Sequence, residues 1–510
     1  MPVASTQTDV KSGEALDGVG ALGEDDQPPD ETTVVVALVA ILVVAAALRL
    51  RGLGDDSLWA NEILSFRRAT APLSDAYELL RAGTHPPLFS QAVLRPWLSL
   101  GESEFMHRLP SAVFGVLTVA FTYLLGRRTF GWRVGLAAAA LLAVLPLHVY
   151  YSREGRMYAL LALLVTLWVG SLLRAHRSNS VGAWVIYTVL GAAILYTHYY
   201  AGLTVAVVVG TTGVAYMTTS VEAEQRRRWL ISSAAIAVLF LPWMPSFVHQ
   251  YRESSSTLPG RPIGELPALI TRFFTGFVNV PYNVKALIFL AIAALSVLLV
   301  IAGRRATRTK DSDLFPLTVM AAAVVGTILF AVLISLVKPI LFVRYFVGLL
   351  PMCCILLAAG AVTARTRVVG FAAYGVLFVV SVACVIPVLT DSWRPDFGDV
   401  GERIAADAPE DTVVLMVGPN ENNIALSGFD HYNDADIPVR MIDSAEGSAA
   451  VADAVAGLET EPSRVWLLQY TTMQTFETPE GFDVAHEERY DSRFFERRFP
   501  MRLTLLESVP

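Results

Sequence analysis

The residue types in this sequence that could do chemistry recur at the ends of long apolar segments. They are Asn61, Glu62, His85, Arg108, Glu154, Arg156, Tyr158, His198 and Arg344. A carboxylate in such a set could accept a proton from a hydroxyl group, while guanidinium groups or a metal ion could hold a departing phosphate. None is decisive alone, because single histidines and arginines at such places are often interfacial anchors. Such chemistry requires that the chain bring several of them together.

The composition predicts that these residues are carried by membrane-spanning helices. The chain has 510 residues, 54% hydrophobic and 17% charged, with a mean hydropathy of +0.51, which excludes an ordinary soluble protein. Its apolar blocks have the length needed to cross about 30 Å of hydrocarbon. About eleven spans are predicted, near 33–50, 109–126, 134–151, 156–173, 183–197, 201–218, 229–248, 284–302, 314–336, 341–362 and 367–389.

Basic residues are concentrated in every second loop between these spans. The basic groups are Arg127, Arg128 and Arg133; Arg174 and Arg177; Arg226, Arg227 and Arg228; Arg304, Arg305, Arg308 and Lys310; Arg365 and Arg367. Because basic loops stay cytoplasmic, the amino terminus is predicted inside and, with an odd number of spans, the carboxyl terminus outside. The candidate residues then share the outer side, a convergence that was not used to build the topology. An even number of spans would move the carboxyl-terminal segment inside.

Three regions follow from this pattern. Residues 1–32 are acidic and are expected to be a disordered cytoplasmic tail without a cleavable signal. Residues 33–389 form the transmembrane domain, with a long first outside loop at 51–108. Residues 390–510 are predicted to be a small extracytoplasmic soluble α/β domain, because charged, turn-rich sequence surrounds short apolar runs there.

Composition also limits the remaining classes of function. The three cysteines all fall in apolar blocks, which favours packing over a disulfide or a thiolate metal cluster: Cys353, Cys354 and Cys384. No phosphate-cradling glycine loop and no basic patch with interleaved aromatics is found, so nucleic acid is not an expected partner. The net charge of −7 and the scarcity of lysine are typical of an archaeal halophile, although genomic base composition would also favour arginine.

An ordered set of motifs then identifies a resemblance. The motifs are Leu-Trp-x-x-Glu at 58–62, His-Pro-Pro-Leu at 85–88, Arg-Leu-Pro-Ser-Ala-x-Phe-Gly at 108–115, Tyr-Tyr-Ser-x-Glu-x-Arg-Met-Tyr-Ala-Leu at 150–160, Thr-His-Tyr at 197–199 and Arg-Tyr-Phe at 344–346. In this order they resemble the superfamily of protein O-mannosyltransferases and aminoarabinose transferases, in its prokaryotic family 39-like branch. The resemblance covers roughly residues 33–362 and is weaker in the tail.

The resemblance implies a GT-C fold and a membrane glycosyltransferase. The expected donor is a dolichyl- or undecaprenyl-phosphate sugar, transferred with inversion to an extracytoplasmic glycan, lipid or protein acceptor. The resemblance further implies that donor phosphate and substrate are bound by His85, Arg108, Arg156, Tyr158 and Arg344.

The expected catalytic residues depart from the family at one position. The family carries an Asp-Glu pair in the first loop, where this chain has Asn61-Glu62. Because an amide does not take up a proton at neutral pH, Glu62 is the favoured base. Glu154 is the alternative, as are Asp55 and Asp56, and transfer activity could also have been lost.

Metal dependence is left open by the sequence. His198 could bind Zn, Mn or Mg together with Glu62 or Glu154, since imidazole and carboxylate suit such ions. Next to Tyr196, Tyr199 and Tyr200, the same histidine is equally typical of an aromatic belt at the membrane surface.

Two other classes of function remain as alternatives. A transporter or flippase for a lipid-linked sugar would also need many spans and a phosphate-binding cavity, but such proteins usually show internal repeats and ionisable residues at mid-membrane. A non-catalytic paralogue is favoured only by Asn61.

Overall fold

The structure is a computed structural model in which long apolar helices form a bundle that is followed by a small α/β unit. It describes residues 30–83, 85–253, 263–306, 313–364, 366–391, 396–407, 409, 411–418, 424–433, 435–443, 449–458, 462–470, 476–494 and 497–509. Residues 1–29 of the tail that was predicted to be disordered (1–32) lie outside the described residues. The first helix already begins at Glu31.

The helices of the bundle, in chain order, have the following bounds. They are α1 (Glu31–Leu50), α2 (Ala60–Thr70), α3 (Leu73–Arg81), α4 (Arg95–Leu98), α5 (Glu104–Phe130), α6 (Trp132–Val144), α7 (Pro146–Ser152), α8 (Tyr158–Ser178), α9 (Val181–Leu195), α10 (Ala201–Thr218), α11 (Ala223–Phe240), α12 (Met244–Glu253), α13 (Leu266–Thr275), α14 (Tyr282–Ala306), α15 (Phe315–Ala321), α16 (Thr327–Ser335), α17 (Leu350–Val362) and α18 (Arg367–Thr390). Short π-helical turns cover Leu88–Leu94 and Ala322–Gly326, and 3₁₀ turns cover Leu241–Trp243, Ile263–Glu265 and Val343–Leu349.

The number of membrane-spanning helices agrees with the sequence pattern. Within the described residues, nine helical segments are long and apolar enough to cross a bilayer, and α6 with α7 makes a tenth if the bent pair is one span. The shorter apolar helix α9 corresponds to the remaining predicted span. The chain is therefore a multi-pass membrane protein, as expected, with spans close to the predicted positions.

The predicted span at 134–151 is divided into two helices, α6 and α7, and a buried arginine forms hydrogen bonds at the division. The axes of α6 and α7 differ by 63°, where Pro146 has no N–H to continue the first helix. Arg49, fully buried at the end of α1, donates to the carbonyl oxygen of Ala143 at 3.1 Å. Its other terminal nitrogen lies 2.8 Å from Nδ1 of His148. The guanidinium group thus satisfies backbone that the break exposes inside the bundle.

The first loop between the spans is folded into short helices. Three of them, α2, α3 and α4, lie between the end of α1 at Leu50 and the start of α5 at Glu104. Backbone N–H of Leu88 donates to the carbonyl of Tyr196 at the end of α9, and Gln250 on α12 donates to the carbonyl of Leu80. These bonds fix the loop against the ends of later spans.

The chain after Thr390 forms an α/β sheet with helices on it. Its elements are α19 (Phe397–Ala406), β1 (Val413–Gly418), α20 (Ile424–His431), β2 (Val439–Asp443), α21 (Ala450–Ala456), β3 (Arg464–Tyr470), β4 (Phe482–Phe494) and β5 (Arg497–Ser508). The strand order is β2-β1-β3-β5-β4, with β1 parallel to β2 and β3, and β5 antiparallel to β3 and β4.

The strands of this sheet arise from continuous apolar runs. Val414 and Met416 pack on one face with Phe397, whereas Leu415 and Val417 pack on the other, so β1 is buried on both sides. The predicted short apolar runs became β1, β3 and β5, which confirms the α/β class of the tail. The domain boundary at residue 390 stays a prediction.

Candidate functional site

The first-loop helix α2 brings a carboxylate to the end of the bundle. Glu62 is the third residue of α2, and its carboxylate reaches back to the N–H of Trp59, 3.4 Å away, which caps the helix. A carboxylate in the first turn is also favoured by the helix dipole. The Glu62 side chain is fully buried.

Both oxygens of Glu62 are engaged by charged or backbone donors. Arg108, in the first turns of α5, donates to them from Nε at 3.0 Å and from a terminal nitrogen at 2.9 Å. The N–H of Gly155 donates to the same carboxylate at 2.7 Å. These charge-assisted and backbone hydrogen bonds hold the carboxylate in one position. The pair therefore joins α2, α5 and the segment before α8.

Arg108 also holds the chain that leads into α2. Its terminal nitrogens donate to the carbonyl oxygens of Leu53 at 3.1 Å, Asp56 at 2.7 Å and Ser57 at 2.7 Å. Asp55 is exposed, with its carboxylate beside Gly52 at the end of α1. Arg108 was predicted to bind donor phosphate, but here its donors are directed at Glu62 and at backbone.

The segment 153–157 before α8 supplies the next group. Arg153 donates to the carbonyl oxygens that end α1, among them that of Gly52 at 3.2 Å. Arg156 donates from one terminal nitrogen to the carbonyl of Asn61 at 2.8 Å and to Oγ of Ser65 at 2.7 Å. Its other terminal nitrogen lies 3.3 Å from Nε2 of His85.

His85, His198 and the 3₁₀ turn Val343–Leu349 before α17 complete the cluster. The ring centroids of His85 and His198 are 6.0 Å apart, and Tyr158 and Tyr345 lie 5.7 Å and 5.2 Å from His198. Arg344 stacks over the ring of Tyr345, 5.5 Å from its centroid. Asn61, His85, Arg344 and Tyr345 are only half-buried, so this cluster of side chains, hereafter the cleft, is partly open to solvent.

Electrostatics keeps both imidazoles of the cleft neutral. Burial first, and then the charges of Arg344 and Arg156, lower the pKa of His198 to about 3. The pKa of His85 is also well below its ordinary value, through burial and then the charge of Arg156. At neutral pH the fixed positive charge of the cleft therefore comes from guanidinium groups.

Arg68 belongs to this cleft although the sequence did not single it out. Burial first, and then the neighbouring charge of Arg156, lower its pKa to about 10, so it is still protonated at pH 7. Asn61, Ser65 and Arg68 are spaced to share one face of a helix, a signal that was present in the sequence. Three arginines thus surround the cleft: Arg68, Arg156 and Arg344.

Most of the predicted site residues lie together at the cleft, whereas Glu62 and Arg108 bind each other. Asn61, His85, Arg156, His198 and Arg344 border or underlie the cleft, and Tyr158 packs against His198. Glu154 is buried in segment 153–157. The buried side chain of Glu62 on α2 is paired with Arg108 of α5, and the base role of Glu62 stays a prediction.

A divalent metal does not fit the surroundings of His198. Within the described residues, no group of three or more His, Cys, Asp or Glu side chains could hold a metal ion. Tyrosine rings and the charge of Arg344 surround this imidazole instead, which opposes binding of a cation. The ring of His198 contacts Tyr158, Tyr200 and Tyr345 and is 2% exposed, so an aromatic belt at the membrane surface does not describe its position either.

Comparison with known proteins places this architecture in a class. Residues 84–247 match the family model described as dolichyl-phosphate-mannose-protein mannosyltransferase. Apo ArnT from Cupriavidus metallidurans is similar over 93% of this chain and 98% of its own, with 14% identity and a TM-score of 0.56. The same protein bound to undecaprenyl phosphate has 15% identity over the same shares and a TM-score of 0.53.

A second solved protein supports the same fold. The oligosaccharyltransferase AglB from Archaeoglobus fulgidus, in complex with an inhibitory peptide and a dolichol-phosphate, covers 86% of this chain and 69% of its own length, with 13% identity and a TM-score of 0.51. No curated protein sequence matches. The fold is that of the GT-C class. The family match over residues 84–247 agrees with the superfamily that the motifs of this chain resemble.

Proposed function

We propose that the chain transfers a sugar from a polyprenyl-phosphate carrier, dolichyl or undecaprenyl, to a glycan, lipid or protein acceptor on the outer side of the membrane. The observation that carries this proposal is the partly exposed cluster of side chains that contains Arg68, Arg156 and Arg344. Three guanidinium groups beside two neutral imidazoles favour a ligand with a phosphate group. The lipid phosphates bound by ArnT and AglB agree with this choice.

The proposed reaction follows from the charges of the cleft. An acceptor oxygen attacks the anomeric carbon while the bond from that carbon to the phosphate oxygen breaks, which inverts the configuration. Negative charge accumulates on the departing polyprenyl phosphate, where the arginines stabilise it. The acceptor proton goes to a carboxylate, for which Glu62 and Glu154 remain the candidates.

The chemistry of Asn61 is compatible with transfer but not with proton uptake. Its backbone carbonyl oxygen accepts from Arg156, so this position helps to place a phosphate-binding group whatever its side chain. We propose that Asn61 positions the acceptor or Arg156 rather than acting as the base. The non-catalytic alternative would require the cleft to bind lipid phosphate without turnover.

Transfer by the purified chain tests the proposal. In nanodiscs, synthetic dolichyl- and undecaprenyl-phosphate sugars should be consumed, with release of the polyprenyl phosphate. Arg344→Gln should lower the rate on the order of 100-fold, because a charge that stabilises the leaving phosphate is lost. Arg177→Gln, an exposed arginine at the last turn of α8, is the matched control and should be active.

Two outcomes would contradict the proposed function. Movement of labelled donor across a liposome bilayer without its consumption would favour a transporter. Tight binding of donor without turnover for any of the sugars would favour a non-catalytic paralogue.

A further inference from the structure

The α/β unit after Thr390 contacts the first loop through one tyrosine. The hydroxyl of Tyr432 accepts from the backbone N–H of Leu58, and it donates to Oε1 of Glu104, 3.1 Å away. Leu58 is 1% exposed, so its N–H has no access to solvent and depends on this acceptor. One hydroxyl thus joins the α/β unit to the chain before α2 and to the start of α5.

A second bond fixes the neighbouring residue of the same chain. Oγ of Ser57 donates to the carboxylate of Asp396 and accepts from the N–H of Gly398, 2.9 Å away. The carbonyl of Ser57 is already held by Arg108. The approach to α2 is therefore held from the bundle by Arg108 and from the α/β unit by Ser57 and Tyr432.

Helix α20 of the α/β unit also contacts the far side of α2. Phe66 packs edge-on against His431 with ring centroids 5.1 Å apart, and Arg67 pairs with Asp430 at 2.6 Å. At about 100° per residue, positions 66 and 67 lie on the side of α2 opposite to positions 61, 65 and 68. Helix α2 is thus enclosed between the α/β unit and the arginine cleft.

We propose that Tyr432 is a positioning residue for the cleft: by holding the start of α2, it keeps Arg68, which α2 carries, and Arg156, which α2 binds, at the phosphate site. Arg156 donates to the carbonyl of Asn61 and the hydroxyl of Ser65, so a shift of α2 shifts this guanidinium group as well. The inference rests on the proposed function only for the identity of the ligand.

Hydrogen exchange and ligand binding test Tyr432 directly. Tyr432→Phe removes both bonds of the hydroxyl, and amide exchange in residues 60–70 should become faster on the order of tenfold. Binding of undecaprenyl phosphate alone should weaken by a similar factor. Tyr282→Phe is the matched control, because this tyrosine is 87% exposed at the start of α14 and the same atom is removed there. Unchanged protection of β1 and β3 shows that the α/β unit is folded in both variants.

A charge exchange provides an independent test that does not disturb the core. Arg67 and Asp430 are 42% and 57% exposed. Arg67→Asp and Asp430→Arg should each speed exchange in α2, and the double variant should return it toward the wild-type rate. The proposal is overturned if exchange in α2 is unchanged by Tyr432→Phe, or if α2 loosens while lipid-phosphate affinity stays at the wild-type value. If the wild-type chain binds no lipid phosphate, the proposed function fails, whereas the exchange rates still decide whether Tyr432 holds α2.

Discussion

Glu62 and Arg108 are both nearly inaccessible to solvent, at 0% and 1% side-chain exposure. A buried ion pair need not add much stability, but removal of one partner leaves the other charge without compensation. The N–H groups of Gly155 and Trp59 would also lose their acceptor. The geometry therefore favours a structural role for Glu62, although the sequence favoured it as the base.

Glu62→Gln separates the two roles. We expect the free energy of unfolding to fall by about 3–5 kcal/mol, because Arg108 keeps its charge in a buried site. Thermal unfolding of the purified protein in detergent measures the change. Asp407→Asn is the control, since its pair with Arg403 is half-exposed and should contribute no more than about 1 kcal/mol.

The result for Glu62→Gln also tests whether Glu62 is the catalytic base. A Glu62→Gln protein that is as stable as the wild type but inactive in transfer would contradict the structural role and support proton uptake by Glu62. Glu154→Gln, made in parallel, should lower transfer more than stability if Glu154 is the base.

At the level of single residues, the sequence indicated which residue types are candidates for the site, but not which side chains contact one another. The spacing of Asn61, Ser65 and Arg68 predicts one helical face, so Arg68 could have been found by the same periodicity that predicts spans. The bond between Glu62 and Arg108 could not, because it joins positions 46 residues apart whose pairing depends on tertiary packing. Patterns along the chain do not report such contacts.

Among the elements, the segment 153–157 depends on one glycine. A Cβ atom at Gly155 would lie 2.0 Å from Cδ2 of His107 and 2.3 Å from its Nε2. His107 is fully buried in α5, so its ring has little room to move away. The close contact of backbone and imidazole keeps the N–H of Gly155 within reach of Glu62.

Gly155→Ala should therefore displace the segment. We expect a clear loss of thermal stability, on the order of 1–3 kcal/mol, together with weaker binding of lipid phosphate because Arg156 is adjacent. His107→Ala makes room for the added methyl group, so the double variant should recover part of the loss. Gly170→Ala, with its nearest contact at 3.8 Å, is the control and should be neutral. Equal losses in the single and double variants would show that the contact with His107 is not the cause.

The sequence predicted those helices whose formation follows from their insertion into the lipid bilayer. The apolar blocks predicted the spans, because only helices satisfy their own backbone groups in a bilayer. The block at 134–151 was predicted as one span, whereas Pro146 divides it into α6 and α7. The short helices α2 and α3 within the first loop were not predicted, since their stability comes from contacts with α5, α12 and α20 rather than from a long apolar pattern.

For the whole molecule, the contacts constrain topology more tightly than loop charges do. Glu62 of the first loop and Gly155 share a hydrogen bond, and Tyr432 reaches the same loop. These three parts of the chain must therefore face one compartment. The alternation of arginines predicts which compartment, namely the outer one.

Accessibility labelling of single cysteines tests this arrangement. Leu73→Cys in α3 and Val484→Cys in β4 replace side chains that are 76% and 53% exposed, and an impermeant maleimide should reach both from outside intact cells. Val181→Cys, 63% exposed at the start of α9, should react only in inverted vesicles, because α9 crosses from that position to the end near His198. The native Cys353, Cys354 and Cys384 lie within α17 and α18, so the parent chain measures background. Labelling of Leu73→Cys and Val484→Cys from opposite sides of the membrane would contradict the contact made by Tyr432. Labelling of both variants only in inverted vesicles would place the arginine cleft, and with it the proposed transfer reaction, at the cytoplasmic face.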